Sequence, residues 1–298
     1  MTTTICICGS GFVGSELEKY LSKFPSLKVI FAPKQFSRSM VLSHTEEQTI
    51  LKFFLENQPN CVVNVAGPTN IQESLLIPDP YTVGQLDQVK KQVSILQRLS
   101  TKPKYVYLSS GSVYGSTSEL GFGESEPTNP LSPYAQGKLL AENFLQSAQD
   151  QFKFASELYI LRGFSLFSVE SPHRLFRLIC QIMLGFEQPT LYGDGNELRD
   201  FVSVEFFSKV IERIAVNPNR PPSGLYNLSS GQGLSISQIC KVASAESATK
   251  REITFNGIIR SGDPRNMVGL NDKLVNNFGL KPHSPLLEIT ELFARSFQ

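Results

Sequence analysis

The chain has almost no net charge: 28 Lys and Arg against 27 Asp and Glu leave +1 at pH 7 over 298 residues. With no long run of one sign, nothing electrostatic points to nucleic acid or a membrane surface as partner. No apolar stretch reaches the about 20 residues that a membrane-spanning helix needs. The first apolar run begins almost at Met1, which leaves no room for a signal peptide, so a cytoplasmic location is expected. Five cysteines are an odd number in such a chain, and no disulfide framework is expected. Cys6 and Cys8 alternate around Ile7; two sulfur ligands without neighbours make a poor metal site, so packing inside a strand is the expectation and no metal is assigned. Internal repeats and low-complexity tracts are missing too. The chain is long enough to bury a large core and form two lobes.

What is present starts with order along the chain. TICICG reads as a short apolar strand that runs directly into GSGFVG and then into the helical stretch SELEKYLSKF. In a strand–turn–helix unit of this kind Gly9 permits the turn, Gly11 lets the backbone approach a pyrophosphate, and Gly14 lets helix and strand pack closely. The helix N-terminus favours the phosphate charge. The alternation continues with the strand LKVIFA, the helix TEEQTILKFFLENQ and the strand CVVNVAG. Val83, Leu86, Val89, Val93 and Leu96 then recur at helical spacing before the strand YVYLSS, and SELYILRG gives a further strand. This is the pattern of an α/β doubly wound parallel sheet, with ligands expected at the C-terminal strand ends, where Ser110 stands.

Downstream of the glycine turn, Ser110, Tyr134 and Lys138 suggest redox chemistry on a nicotinamide. Ser132 suits an N-cap and Pro133 the first helical position, so Tyr134 falls in the first turn of a helix YAQGKLLAENFL. Positions i and i+4 share one face, which lets the phenol and the Lys138 ammonium reach one ligand. A phenol has a reference pKa of about 10 and needs a nearby cation to exchange protons near neutrality.

The series CGSGFVGS, VVNVAG, YVYLSSGSVYG, EPTNPLSPYAQGKLLAE, LRGFSLFS, LYGDGNELRDFVSVEFF, GLYNLSSG and RSGDPRN resembles, over nearly the whole length, the extended short-chain dehydrogenase/reductases of the nucleotide-sugar epimerase/dehydratase family. The resemblance implies a Rossmann-type fold with a smaller mixed α/β substrate lobe. Residues 1–165 would bind NAD(P), 166–298 would mainly form the substrate lobe, and segments near 200–230 would return to the first lobe. It makes Ser110, Tyr134 and Lys138 catalytic, with Tyr134 and Lys138 also touching the cofactor. Phe12 and Val13 in the glycine turn and Ala66 and Gly67 at the end of VVNVAG complete the cofactor set. Arg199 and Arg260 match positions that approach a nucleotide diphosphate, a task suited to the guanidinium fork. The partner implied is a nucleotide sugar, and a homodimer through the helices flanking the site is expected.

Departures from the family pattern narrow the reaction. Similar dehydratases carry an Asp-Glu pair after the catalytic Ser or Thr, whereas this chain has Gly111 and Ser112, which disfavours a 4,6-dehydratase. In similar epimerase-reductases that make GDP-fucose, the Ser112 position holds a cysteine and a histidine opens the helix where His173 stands; both residues are assigned to substrate. Ser165 replaces a common Asn, no Asn occurs between Tyr81 and Gln92, and Glu205 stands where RDF motifs continue to Asp, which together suggest a divergent pocket. Simple ketone reduction needs only Ser110, Tyr134 and Lys138. The leading expectation is therefore NAD(P)H-dependent reduction of a nucleotide-linked keto sugar at C4. A nucleotide-sugar 4-epimerase with tightly bound NAD is the alternative, and a non-catalytic NAD(P)-binding regulatory protein is a third reading, disfavoured by the intact trio. No Asp or Glu occurs from Val29 through His44, while Lys34 and Arg38 do, so NADP(H) is favoured over NAD(H). Replacing Lys34 and Arg38 together by alanine is expected to weaken NADPH binding while sparing NADH in parallel titrations; equal losses would remove the basis for that preference.

Overall fold

The first strand can lie inside the sheet, buried on both faces, because its alternate side chains face two separate apolar layers. The computed structural model describes residues 2–37, 43–115, 121–170, 174–216 and 221–298. Arg38 and His173 lie outside the described residues. The chain begins with β1 (Thr3–Cys8), α1 (Phe12–Leu21), β2 (Leu27–Phe31), α2 (His44–Asn57), β3 (Cys61–Asn64), α3 (Ile71–Leu76), α4 (Val83–Leu96), β4 (Lys104–Ser110), α5 (Pro133–Phe152) and β5 (Leu158–Gly163). It goes on through β6 (Ser165–Phe167), α6 (Leu175–Met183), β7 (Thr190–Leu191), β8 (Leu198–Ser203), α7 (Val204–Val216), β9 (Gly224–Leu228), β10 (Gly233–Ser235) and α8 (Ile236–Glu246). The last elements are β11 (Thr254–Phe255), β12 (Asn266–Met267), α9 (Asp272–Phe278) and α10 (Pro285–Ser296).

Six strands form one parallel sheet in the order β2-β1-β3-β4-β5-β9, so the α/β doubly wound expectation holds. On one face Ile5 and Ile7 pack with Leu17 and Leu21 of α1 and with Val210, Ile211 and Ile214 of α7. On the other, Cys6 and Cys8 pack with Phe54 of α2, Val89 and Val93 of α4, and Leu145 of α5. A strand of period two can serve both layers only if every residue is apolar, which is what ICIC supplies. The five cysteines are all buried and free, and burial pushes the Cys61 thiol up to about 12. At the first position of α4, Val83 is 53% exposed and leaves the apolar stripe to Val89, Val93 and Leu96.

Local chemistry sets the helix ends. Ser43 opens α2 with a capping box to Glu46. Ser132 accepts the Ala135 N–H and Pro133 fills the first position of α5, which fixes the turn that carries Tyr134. None of the described helices is long and apolar enough to cross a membrane.

A second core gathers Phe176, Ile179 and Met183 of α6 with Phe201, Ile239 of α8, and Leu292 and Phe293 of α10. Its sheet is built on β8, which pairs antiparallel with β10 and parallel with β12 and β6. α7 and β9 belong to the first core instead, α7 against α1 and β9 beside β5. The join is made by Asp200, which is fully buried on β8. Its carboxylate accepts the Ser230 N–H and hydroxyl, both at 2.7 Å, the Gly231 N–H at 3.0 Å and the Gly269 N–H at 3.2 Å. Burial still pushes its pKa up to about 6 against those donors. Removing the carboxylate strands the buried Ser230 and Gly269 amides away from water, each costing about 1–3 kcal/mol. Asp200→Ala is therefore expected to lower unfolding free energy by about 2 kcal/mol or more in urea titrations, and Asp200→Asn by less.

Candidate active site

Chain order reverses around β1, since β2 lies on one side and β3, β4 and β5 on the other. In open parallel sheets a crevice forms outside the C-terminal ends of the strands at such a point. Here it is a cleft of about 890 Å³ between the two cores.

One wall is the turn from β1 to α1. Gly9 has φ +107°, where side chains are strained, and a Cβ on it would lie 2.9 Å from the Ala66 backbone. A Cβ on Gly14 would lie 1.9 Å from the Gly9 carbonyl oxygen, so only glycine allows α1 to start this close to the sheet. Around Gly11, by contrast, a Cβ would meet nothing within 4 Å, and no side chain caps the helix that Gly11 begins. Gly11, Phe12, Val13 and Gly14 line the cleft, as do Ala66 and Gly67 beyond β3. The opening at Gly11 and the uncapped N-terminus of α1 fit a pyrophosphate, and hence a nicotinamide dinucleotide. Gly9 shapes the turn without lining the cleft, and Lys34 is exposed on the short turn after β2, also outside the lining.

The floor holds Ser110, Ser112, Tyr134 and Lys138 together. The Ser112 hydroxyl donates to Ser110 Oγ at 2.9 Å and its N–H to the same oxygen at 3.2 Å. Ser112 thereby aims Ser110. Burial raises the Tyr134 phenol above its ordinary value, while the Ser110 hydroxyl and then the Arg174 guanidinium act in the other direction. Lys138 is 5% exposed, donates to the Leu108 carbonyl at 2.9 Å and lies over the Tyr107 ring at 4.9 Å. Its pKa is lowered to about 8 by burial, with Glu142 opposing. Arg174 is thus a cation that acts on the phenol besides the Lys138 that the helical spacing of the sequence points to.

At Gly111 a Cβ would lie 2.9 Å from the Phe164 ring. A side chain in this place, such as the acid that similar dehydratases carry, would require the Phe164 ring to shift.

The far wall comes from the second lobe. Arg199 lines it and donates to the carbonyls of Leu198 at 2.9 Å and Arg265 at 3.1 Å. Burial lowers its pKa while Asp263 and Glu197 oppose that. Arg260 lines the same wall with its guanidinium 4.2 Å from the centre of the Tyr192 ring. Two arginines given no role in the sequence also line the cleft, Arg174 and the Arg265 of RSGDPRN. Arg174 reaches across to Thr69, donating to its carbonyl at 2.9 Å and its hydroxyl at 2.6 Å. It does so from φ 48°, ψ −108°, a conformation residues with side chains rarely adopt. A lone arginine at a helix start carries no signal of this; only the fold brings it to Thr69.

Residues 5–229 match the family model for the NAD dependent epimerase/dehydratase family. The chain is 23% identical over 317 residues to a UDP-glucose 4-epimerase of Halalkalibacterium halodurans, covering 94% of this chain and 90% of that one. Among solved structures, the UDP-glucose 4-epimerase of Bifidobacterium longum in complex with NAD+ and UDP superposes with a TM-score of 0.82 at 21% identity, covering 99% of this chain and 98% of that one. RMD from Pseudomonas aeruginosa complexed with NADPH gives 0.81 at 22% identity, covering 99% of both chains. At these identities the two superpositions establish the fold.

Proposed function

This chain belongs to the NAD dependent epimerase/dehydratase family, and from that premise we propose that it epimerises the sugar of a nucleotide sugar, using a nicotinamide dinucleotide and the set Ser110, Tyr134 and Lys138. The observation that carries this reading is the convergence of those three side chains on one cleft with the glycine turn of α1 and with Arg199 and Arg260. Similarity to a 4-epimerase over 94% of the chain supports it.

When bound, the nicotinamide accepts a hydride from a sugar carbon and returns it. Tyr134 moves the accompanying proton. In the half-reaction that oxidises the sugar the Tyr134 phenolate would take the hydroxyl proton, and in the half-reaction that reduces it the phenol would give that proton back to the sugar oxygen; burial favours the neutral phenol, while Ser110 and Arg174 favour the phenolate. Ser110, held by Ser112, hydrogen-bonds the same oxygen and steadies the charge that develops on it. Lys138 binds the nicotinamide ribose. The first turn of α1 receives the cofactor pyrophosphate, and Arg199 and Arg260 grip the diphosphate of the substrate.

A second reading is reduction of a nucleotide-linked keto sugar at C4 by NADPH, with the same proton from Tyr134. The observation favouring it is the stretch from Val29 through His44, which offers no carboxylate for a ribose 2′-hydroxyl and presents an exposed Lys34. An epimerase recycles its nicotinamide in each turnover, whereas a reductase must exchange it. Denaturing freshly purified protein and identifying the released nucleotide by mass spectrometry separates the two: retained NAD is the expected result, and an empty site that prefers NADPH would transfer the assignment to the reductase. Tyr134→Phe is expected to lower turnover by about 10²–10⁴-fold with cofactor affinity largely intact; unchanged turnover would rule out the proton transfer assigned to it.

A further inference from the structure

Behind the floor of the cleft lies a charged cluster that the proposed chemistry does not use. Glu142, four residues beyond Lys138 on α5, is 1% exposed, and Arg162 on β5 is 5% exposed. Arg162 Nη2 donates to Glu142 Oε2 at 2.7 Å, and its Nε donates to the two carboxylate oxygens at 3.1 and 3.2 Å. The Ser109 hydroxyl donates to Glu142 Oε1 as well. Positions 138 and 142 share one helix face. Leu108, whose carbonyl receives the Lys138 ammonium, and Ser109 directly precede Ser110. The cluster therefore ties the Lys138 helix to the strand end that presents Ser110.

Stability alone is a weak reason for such an arrangement. Desolvating two charges costs more than their attraction returns unless every hydrogen bond is made, and well-packed apolar side chains would serve as well. Here Arg162 Nη1 is buried with no hydrogen-bond partner among the described residues, although the guanidinium rests over the Tyr114 ring at 4.7 Å.

We propose that Glu142 is a positioning residue for Lys138: a carboxylate fixed by Arg162 and Ser109 that supplies the counter-charge for the buried ammonium and so keeps it seated and cationic beneath the cofactor. The proposal rests on the reading of Lys138 as a cofactor-binding group. Burial drives Lys138 down to about 8, and Glu142 is the charge that opposes this. The other titratable groups around the ammonium are Tyr107 from β4, raised well above its ordinary value by burial and hence neutral, and Tyr134 one turn back on α5, raised by burial. Arg174 acts on Tyr134 from across the cleft. Arg162, from β5, is the cation that competes with Lys138 for the carboxylate. Removing Glu142 leaves the buried ammonium and the buried guanidinium without the carboxylate that acts on both, whereas removing Arg162 leaves the whole carboxylate to act on Lys138. The two changes should move the lysine in opposite directions, which a purely structural salt bridge would not do.

The test is the pH dependence of NADH and NADPH affinity, read by nucleotide fluorescence on the full chain. In the wild type, affinity is expected to fall as pH rises through the titration of Lys138 near 8. Glu142→Gln should lower that midpoint by about one pH unit or more, Glu142→Asp should return it towards the wild-type value, and Arg162→Met should raise it. An unmoved midpoint in folded Glu142→Gln, or a fall in Arg162→Met, overturns the proposal. Should Glu142→Gln fail to fold, Arg162→Met decides by itself, a rise supporting the proposal and an unmoved midpoint overturning it. Lys138→Met should abolish the transition. If the transition persists in that variant, the reading of Lys138 falls and the proposal with it; if it vanishes there yet is unmoved in Glu142→Gln, the proposal alone falls.

Discussion

The closeness of α1 to the β1 and β3 ends is the constraint on which the rest of the site depends. With 1.9 Å between a would-be Cβ at Gly14 and the Gly9 carbonyl, and 2.9 Å between one at Gly9 and Ala66, that corner has no tolerance for a side chain. The same compression leaves the space beside Gly11 open. Helix, strand and cavity are thus three results of one packing decision, and the polar floor residues on β4 and α5 take their depth relative to it.

Features whose cause is local are legible along the chain. Serine at 132 and proline at 133 specify where α5 begins, so spacing alone puts Tyr134 and Lys138 on one face. The apolar run of β1 announces a strand buried on both sides, and the sheet follows from it. Features whose cause is distant are not legible there. Arg162 and Glu142 are 20 residues apart, and nothing in LRG or LLAE marks them as partners until β5 lies beside α5. Arg174 and Thr69 are separated by 105 positions. Helical spacing likewise tells which side chains share a face but not which way the Lys138 ammonium turns once the Leu108 carbonyl is within reach, nor that Arg174 acts on the phenol from elsewhere in the chain.

Two buried carboxylates make an instructive contrast. Asp200 is surrounded by neutral donors from loops far apart in sequence and serves as a mechanical node between the two cores. Glu142 faces cations and lies directly behind the reactive residues. Both are beyond the reach of water, but the first is held by neutral donors and the second is paired with a buried guanidinium, and at the low dielectric of a protein interior such a pair is far stronger than in solvent.

Phe164 gives the site a constraint as well as a shape. Its ring occupies the place where any side chain at 111 would have to go, so an acid introduced at that position alone would be expelled or would displace the ring. A side chain at 111 therefore requires the ring at 164 to move or to be replaced by something smaller, and the latter would open space beside Ser110. In this chain the packing of one aromatic ring therefore ties what position 111 can hold to what stands at position 164.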